Sequence, residues 1–155
     1  MNKPELFEQL LKKIDKLTRS PLPVIEALFA ICDMLKTMVP AYDWVGFYLV
    51  DRENKRELVL GPYVGVPTEH DRIPFGKGVC GQAAERKETI VIQDVSKEDN
   101  YLSCSMDVQS EIVVPIFKDG ELIGEIDIDS HEAASFSEDD TEFLKSAAEM
   151  VARVL

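Results

Sequence analysis

Residues Ser110 to Ser130 read SEIVVPIF, then KDG, then ELIGEIDIDS. Two runs rich in isoleucine and valine flank a Lys118-Asp119-Gly120 turn signal, the pattern of a β-hairpin. Turn length decides which residues share a face. A two-residue Asp119-Gly120 turn pairs Ile112 with Asp127 and Val114 with Glu125, which mixes charge into an apolar face. A three-residue loop over Lys118, Asp119 and Gly120, with Gly120 left-handed, pairs Phe117 with Glu121. Ile112, Val114 and Ile116 then share a face with Leu122, Gly124, Ile126 and Ile128. Glu111, Val113, Glu125, Asp127 and Asp129 take the other face. Side chains alternate with period two, so the longer loop is the consistent choice. It also sets Glu111 opposite Asp127. Like charges facing each other across strands repel, so such a cluster needs solvent, a shared proton or a bound cation. A wet sheet face is the plainer alternative.

A chain of 155 residues suits one domain with a substantial core. Its divisions are N-terminal helices over 1–40, sheet and pocket loops over 43–130, and a C-terminal helix over 137–155. At 45% hydrophobic and 30% charged, the composition is that of an ordinary soluble protein. No run approaches the roughly 18 apolar residues of a membrane span, and the charged N-terminus MNKPELFEQLLKK has no signal-peptide block. A cytoplasmic protein is expected. The net charge of −12 argues against nucleic acid or anionic lipid as a partner. The three cysteines, Cys32, Cys80 and Cys104, are odd in number and widely spaced, which fits no disulfide framework. No closely spaced Cys/His pair marks a zinc site, and no metal is expected.

Along the chain, Leu6, Leu10, Leu11, Ile14 and Leu17 have helical spacing over Pro4–Arg19. Ser20-Pro21-Leu22-Pro23 breaks that helix, and Ser20 or a neighbour is placed to cap the next, Val24–Met38. Cys32 falls on the apolar side of this second helix and reads as an inert core thiol. A strand over Asp43–Asp51 and its partner over Arg56–Leu60 make another hairpin. Gly61 to Pro67 then interrupts regular structure. In Arg72–Gly81, RIPFGKGVCG, three glycines and a proline mark backbone shaped for close approach. A short helix over Val79–Arg86 puts Cys80 at its N-terminus, where the dipole favours a thiolate; a small packed thiol is the alternative. Glu88–Gln93 is a strand. Cys104 lies in a polar segment between a loop and the Ser110 hairpin, less easily dismissed as core than Cys32. Ser137, with Asp140 three residues on, caps a last helix over Asp140–Val154. Segregated antiparallel strands with helices at both ends give an α+β fold. The helices pack on the even-numbered apolar face, and the loops from Gly61 to Met106 roof a pocket over the acidic one.

The strings DWVGFYLV, LVLGPYVG, RIPFGKGVCG, SEIVVPIFKDGELIG and DIDS, in this order, resemble the GAF-domain free methionine-(R)-sulfoxide reductases. The similarity runs from about Trp44 to the C-terminus. It implies a GAF fold, with a six-stranded antiparallel sheet and flanking helices, a closed pocket for free methionine sulfoxide, and often a homodimer through helices. It also implies roles. Cys80 matches the cysteine after RIPFG-x-GV, and Cys104 matches the cysteine that attacks the sulfoxide. Glu111, Asp127 and Asp129 match the carboxylates that hold the substrate. A third family cysteine, usually the resolving partner, lies before RIPFG; here the corresponding position holds His70. Ser105-Met106-Asp107-Val108 also departs from the usual D-S-A-S, and Glu125 is an extra acid where the family is usually apolar.

The resemblance implies reduction of free L-methionine-(R)-sulfoxide by the Cys104 thiolate through a sulfenic acid. A carboxylic acid among Glu111, Asp127 and Asp129 supplies the proton, since clustered charges raise at least one pKa. Trp44 or Tyr48 walls the substrate side chain; for Trp44, core packing is the alternative. Cys80 or an external thiol resolves the intermediate, with no bound cofactor and a thioredoxin-like dithiol as reductant. His70 either lowers the pKa of a neighbouring thiol or is simply solvated. The alternative function is a non-catalytic GAF module that binds a small zwitterion or senses redox state.

Overall fold

The Ser110 hairpin lies at the centre of the computed structural model, which describes residues 1–102 and 106–155. Its strands are β5 (Ser110–Lys118) and β6 (Glu121–Ser130). Before them come β1 (Trp44–Val50), β2 (Glu57–Val64), β3 (Arg72–Pro74) and β4 (Ile90–Ile92). Among the described residues these form one antiparallel sheet in the order β3-β2-β1-β6-β5-β4. The helices are α1 (Lys3–Arg19), α2 (Val24–Met38), α3 (Gly78–Arg86) and α4 (Glu138–Val151). A 3₁₀ turn spans Val95–Lys97. The expected α+β architecture, six antiparallel strands with terminal helices on one face, is the observed one.

The hairpin reaches its face assignment by another route than the one expected. The turn is the two-residue one: Lys118 pairs with Glu121, and Asp119 and Gly120 both have positive φ, 52° and 78°. That is the left-handed geometry a tight hairpin needs. A bulge then absorbs the mismatch. Phe117 pairs with Leu122 but Ile116 pairs with Gly124, so Ile123 is the extra residue. Beyond the bulge Ile112 faces Ile128 and Val114 faces Ile126, as the apolar pattern demands. Two details are corrected. Glu111 sits opposite Asp129 rather than Asp127, and Leu122 joins the pocket side.

The helix side of the sheet carries the larger core. Val45, Phe47, Ile112, Val114, Ile126 and Ile128 pack against α1, α2 and α4. Phe7 of α1 stacks on Phe143 of α4 at 4.2 Å between ring centroids. Truncating one such residue, as in Ile126→Ala, costs about 2–5 kcal/mol in transfer and cavity terms. Cys32 lies in this core with its Sγ 3.5 Å from the Pro62 carbonyl, and burial pushes its pKa far up, so it is inert. Ser137 and Asp140 form the expected capping box of α4, which starts at Glu138. Ser20 does not cap α2, whose N-cap is Pro23; its hydroxyl instead donates to the Leu17 carbonyl at the end of α1.

The Gly61-Pro62 break expected after Leu60 is instead the middle of β2. Gly46 pairs with Tyr63 and Tyr48 with Leu60, so a second bulge lies between them. Pro62, which has no N–H to donate, falls inside that irregularity. Arg72-Ile73-Pro74, expected as loop, adds the edge strand β3 against Glu57–Val59.

Candidate functional site

The face of the sheet opposite the terminal helices carries a smaller core and the acids. On β1, Trp44, Gly46 and Tyr48 face Asp129, Asp127 and Glu125 of β6. Glu111 of β5 completes the group across from Asp129. All four acids are buried, Glu125 completely. The wet-face alternative therefore does not describe this side. Helix α3 lies over it and presents Cys80 in its first turn. Cys80, Glu111 and Asp127 each offer a ligand atom within 4.8 Å of the other two.

The loop before α3 is built for this approach. Gly78 has φ of 65°, and a Cβ there would meet the Leu102 side chain at 2.9 Å. Asn100 fastens the loop: its Oδ1 accepts from the Gly78 N–H at 2.8 Å and its Nδ2 donates to the Gly76 carbonyl at 2.9 Å. A Cβ on Gly81 would come within 2.6 Å of the Pro74 carbonyl, so glycine lets α3 pack down on β3.

Water exclusion sets the electrostatics. Burial pushes Asp127 above the usual carboxylate range, against hydrogen bonds with Glu111 and the Cys80 thiol that favour the charged form. A Glu111–Asp127 hydrogen bond needs a proton on one of the two carboxyls. Burial, and then the Asp127 charge, push Glu125 well up. Neither Glu125 oxygen has a well-aligned hydrogen-bond partner among the described residues; the neighbouring Cys80 thiol offers a weak one. Asp127 Oδ1 likewise has none. Cys80 is pushed far above its ordinary value by burial, then by Asp127, Glu125 and Glu111. The expected stabilisation of a Cys80 thiolate by the helix N-terminus is thus reversed. Three carboxylates supplied by β5 and β6 outweigh the terminal dipole, and Cys80 stays a thiol.

Tyr48, His70, Ile73, Cys80, Leu102 and Asp127 are among the residues enclosing a cavity of about 10 Å³. That is room for about one water molecule. Tyr48 donates its hydroxyl to the His70 carbonyl at 2.7 Å, so β1 holds the His70 loop at the cavity edge. His70 itself is half-buried there, not fully solvated. Trp44 does not line this cavity. Its indole lies over Gly46 and Gly65, stacks on Tyr63 at 5.3 Å and donates from Nε1 to the Val66 carbonyl at 3.0 Å. Cys104 lies outside the described residues, while Leu102, just before it, is on the cavity wall. A larger groove of about 610 Å³ between α4 and β5, with Lys87, Pro115, Phe117 and Lys145 in its lining, has no thiol and no buried acid among the described residues that line it.

The structure therefore brings together Cys80, Glu111, Asp127, Tyr48 and His70, with Asp129 adjacent in register. Asn100 and Leu102 carry no sequence signal for their place beside Gly78. The burial of Glu125 was signalled only by an acid standing in an apolar run.

The chain as a whole has known relatives. The GAF domain family model matches residues 23–155. The chain belongs to the GAF-domain family. Within it, the chain is similar to the free methionine-R-sulfoxide reductase of Saccharomyces cerevisiae, with 36% identity over 97% of this chain and 86% of that protein. It is 41% identical to GAF domain-containing protein A of Dictyostelium discoideum, over 92% of this chain and 88% of the relative. The X-ray structure of free methionine-R-sulfoxide reductase from Neisseria meningitidis, in complex with its substrate, superposes with a TM-score of 0.92 at 39% identity. The match covers 99% of this chain and 91% of that one.

Proposed function

We propose that this protein reduces free L-methionine-(R)-sulfoxide to methionine in the pocket between α3 and the acidic face of the sheet. The observation that carries this reading is a row of buried carboxylates, one hydrogen-bonded to its neighbour, set against a thiol in a fold shared with such reductases. In this reading the Cys104 thiolate attacks the sulfoxide sulfur. Asp127, kept protonated by burial and hydrogen-bonded to Glu111, donates its proton to the sulfoxide oxygen. The protonated oxygen then moves to the Cys104 sulfur: the substrate S–O bond and the transient S–S bond break, a Cys104 S–O bond forms, and methionine departs, leaving Cys104 as sulfenic acid. Glu111 and Asp129 hold the substrate ammonium and Tyr48 walls its side chain, while Trp44 stays outside the cavity, stacked on Tyr63.

Cys80 then takes the resolving role that His70 cannot fill. Its sulfur attacks the sulfenic sulfur, a disulfide forms, and water departs with the displaced oxygen. An external dithiol of the thioredoxin type restores both thiols. The high pKa of Cys80 suits this sequence, because a protonated thiol does not compete with Cys104 for the sulfoxide. Because the cavity holds little more than a water, substrate entry displaces Leu102 and the loop around Gly78.

The test is methionine release from the free sulfoxide, with thermal stabilisation measured alongside. Cys104→Ser abolishes release and keeps the stabilisation by substrate. Cys80→Ser keeps release with dithiothreitol and loses it with thioredoxin. Stabilisation without release in the wild type overturns the reading in favour of a binding module. We further infer a cytoplasmic homodimer of one-domain chains, 1–155, joined through α2, whose outer face exposes Ile25 and Phe29 beside Leu22. Phe29→Glu then yields a monomer by light scattering, whose melting temperature no longer rises with protein concentration as that of the wild type does.

A further inference from the structure

The pocket floor holds more donor capacity than an ammonium group uses. An ammonium needs oxygen acceptors, yet here a sulfur stands among them. The ligand atoms of Cys80, Glu111 and Asp127 all lie within 4.8 Å of one another, and all three residues are buried. A second observation comes from Glu125. It is fully buried, it lies against the Cys80 thiol and the Asp127 carboxylate, and neither of its oxygens has a well-aligned partner among the described residues. With only the weak thiol donor beside it, the charged form of Glu125 is compensated either by a proton or by positive charge arriving nearby.

We propose that Cys80, Glu111 and Asp127 form a binding site for a thiophilic divalent cation of the zinc class, with Glu125 balancing its charge from behind the thiol. One sulfur and two carboxylate oxygens leave a fourth tetrahedral position for water, and the cavity has volume for about that one molecule. Magnesium and calcium want six or more oxygen ligands, which this site does not present. In a tetrahedron, zinc bonds of about 2.3 Å to sulfur and about 2.1 Å to oxygen set neighbouring ligand atoms about 3.6 Å apart. Any pair near the observed 4.8 Å limit closes by about 1 Å as the ion enters. The thiol and the Glu111–Asp127 pair each pass a proton to solvent on ligation. The donors come from α3, β5 and β6, far apart in the chain, which is why cysteine and histidine spacing gave no sign of them. The regulatory consequence rests on the reductase reading: the ion occupies the carboxylates that receive the substrate and the thiol that resolves the sulfenic acid, so zinc inhibits by competing with methionine sulfoxide.

The experiment uses the full chain, reduced with a phosphine and freed of metal, and titrated with Co²⁺ and Zn²⁺. Wild type and Cys104→Ser give one thiolate-to-cobalt charge-transfer band at one ion per chain, displaced by Zn²⁺ and by methionine sulfoxide but not by Mg²⁺. Cys80→Ser lacks the band, and Glu111→Gln and Glu125→Gln weaken Zn²⁺ by about 10–100-fold. Absence of the band in wild type overturns the proposal, whether or not any variant folds. So does a band that survives in Cys80→Ser or vanishes in Cys104→Ser. Methionine release in the same metal-free samples reads the reductase separately: release without the band sinks only the ion site, and the band without release sinks only the reductase.

Discussion

Two buried acid sites lie on opposite sides of one sheet, and they are built to opposite specifications. On the helix side, Asp140 is fully buried and fully used. Its Oδ2 accepts from Lys3 Nζ at 2.6 Å and from the Ser137 N–H at 2.9 Å, and its Oδ1 accepts from the Tyr42 hydroxyl at 2.7 Å. One carboxylate thus ties α1, the entry to β1 and the start of α4 together. On the pocket side, Glu125 and Asp127 keep oxygens without well-aligned partners among the described residues, although they are as deeply buried. The first site spends its acid on folding. The second holds acids in a state that folding alone disfavours, which is the mark of a place reserved for a ligand.

Asp127→Asn tests that contrast where the expected effect is largest. If Asp127 supplies the proton, methionine release falls by about 10²–10⁴-fold, measured under single turnover. The melting temperature is unchanged or higher, because the amide keeps a donor for Glu111 and can never carry a buried charge. A fall in stability parallel to the loss of activity would place Asp127 with Asp140 as a structural acid and erase the distinction.

Asp140→Ala is the mirror experiment. It leaves the buried Tyr42 hydroxyl without its acceptor and removes the capping box of α4. Together these cost about 2–4 kcal/mol, or about 5–15 °C in melting temperature for a chain of this size. Methionine release per folded molecule, assayed well below the melt, stays at the wild-type level. The change lies across the sheet from the pocket and touches none of its acids.

The two sites were unequally legible in the sequence. Ser137 with Asp140 announces itself, because capping chemistry is local and has fixed spacing. The acidic row was legible too, because Glu111, Asp127 and Asp129 fall on one period-two face. The register was not. The two-residue Asp119-Gly120 turn looked incompatible with that face only because a bulge at Ile123 has no compositional signature. The same holds for β2, where Gly61-Pro62 reads as a break and is absorbed by a bulge opposite Phe47. The protonation state of Cys80 was the least accessible. Its own helix argues for a thiolate, and the three carboxylates that reverse the argument belong to strands more than thirty residues away. Local reasoning found the residues; only tertiary placement gave their charge.

Glu125 offers the finest resolution of the comparison, through pH. Its carboxyl and that of Asp127 have raised affinities for protons in the folded protein, both chiefly through burial. The folded state therefore binds more protons than the unfolded state wherever the pH lies above the ordinary carboxylate value of about 4 and below the folded values. Stability is greatest on the acid side of that window and declines as pH rises through the folded values, the reverse of a carboxylate held by a cation. Glu125→Met, of similar volume, removes one such group. It raises stability by about 1–3 kcal/mol at pH 8, where the buried charge costs most, and by less at pH 5. Thermal melts of wild type and variant across that range should converge toward acid and separate toward base. Parallel curves would mean that Glu125 is already paid for by a partner, and that the pocket acids are as settled as Asp140.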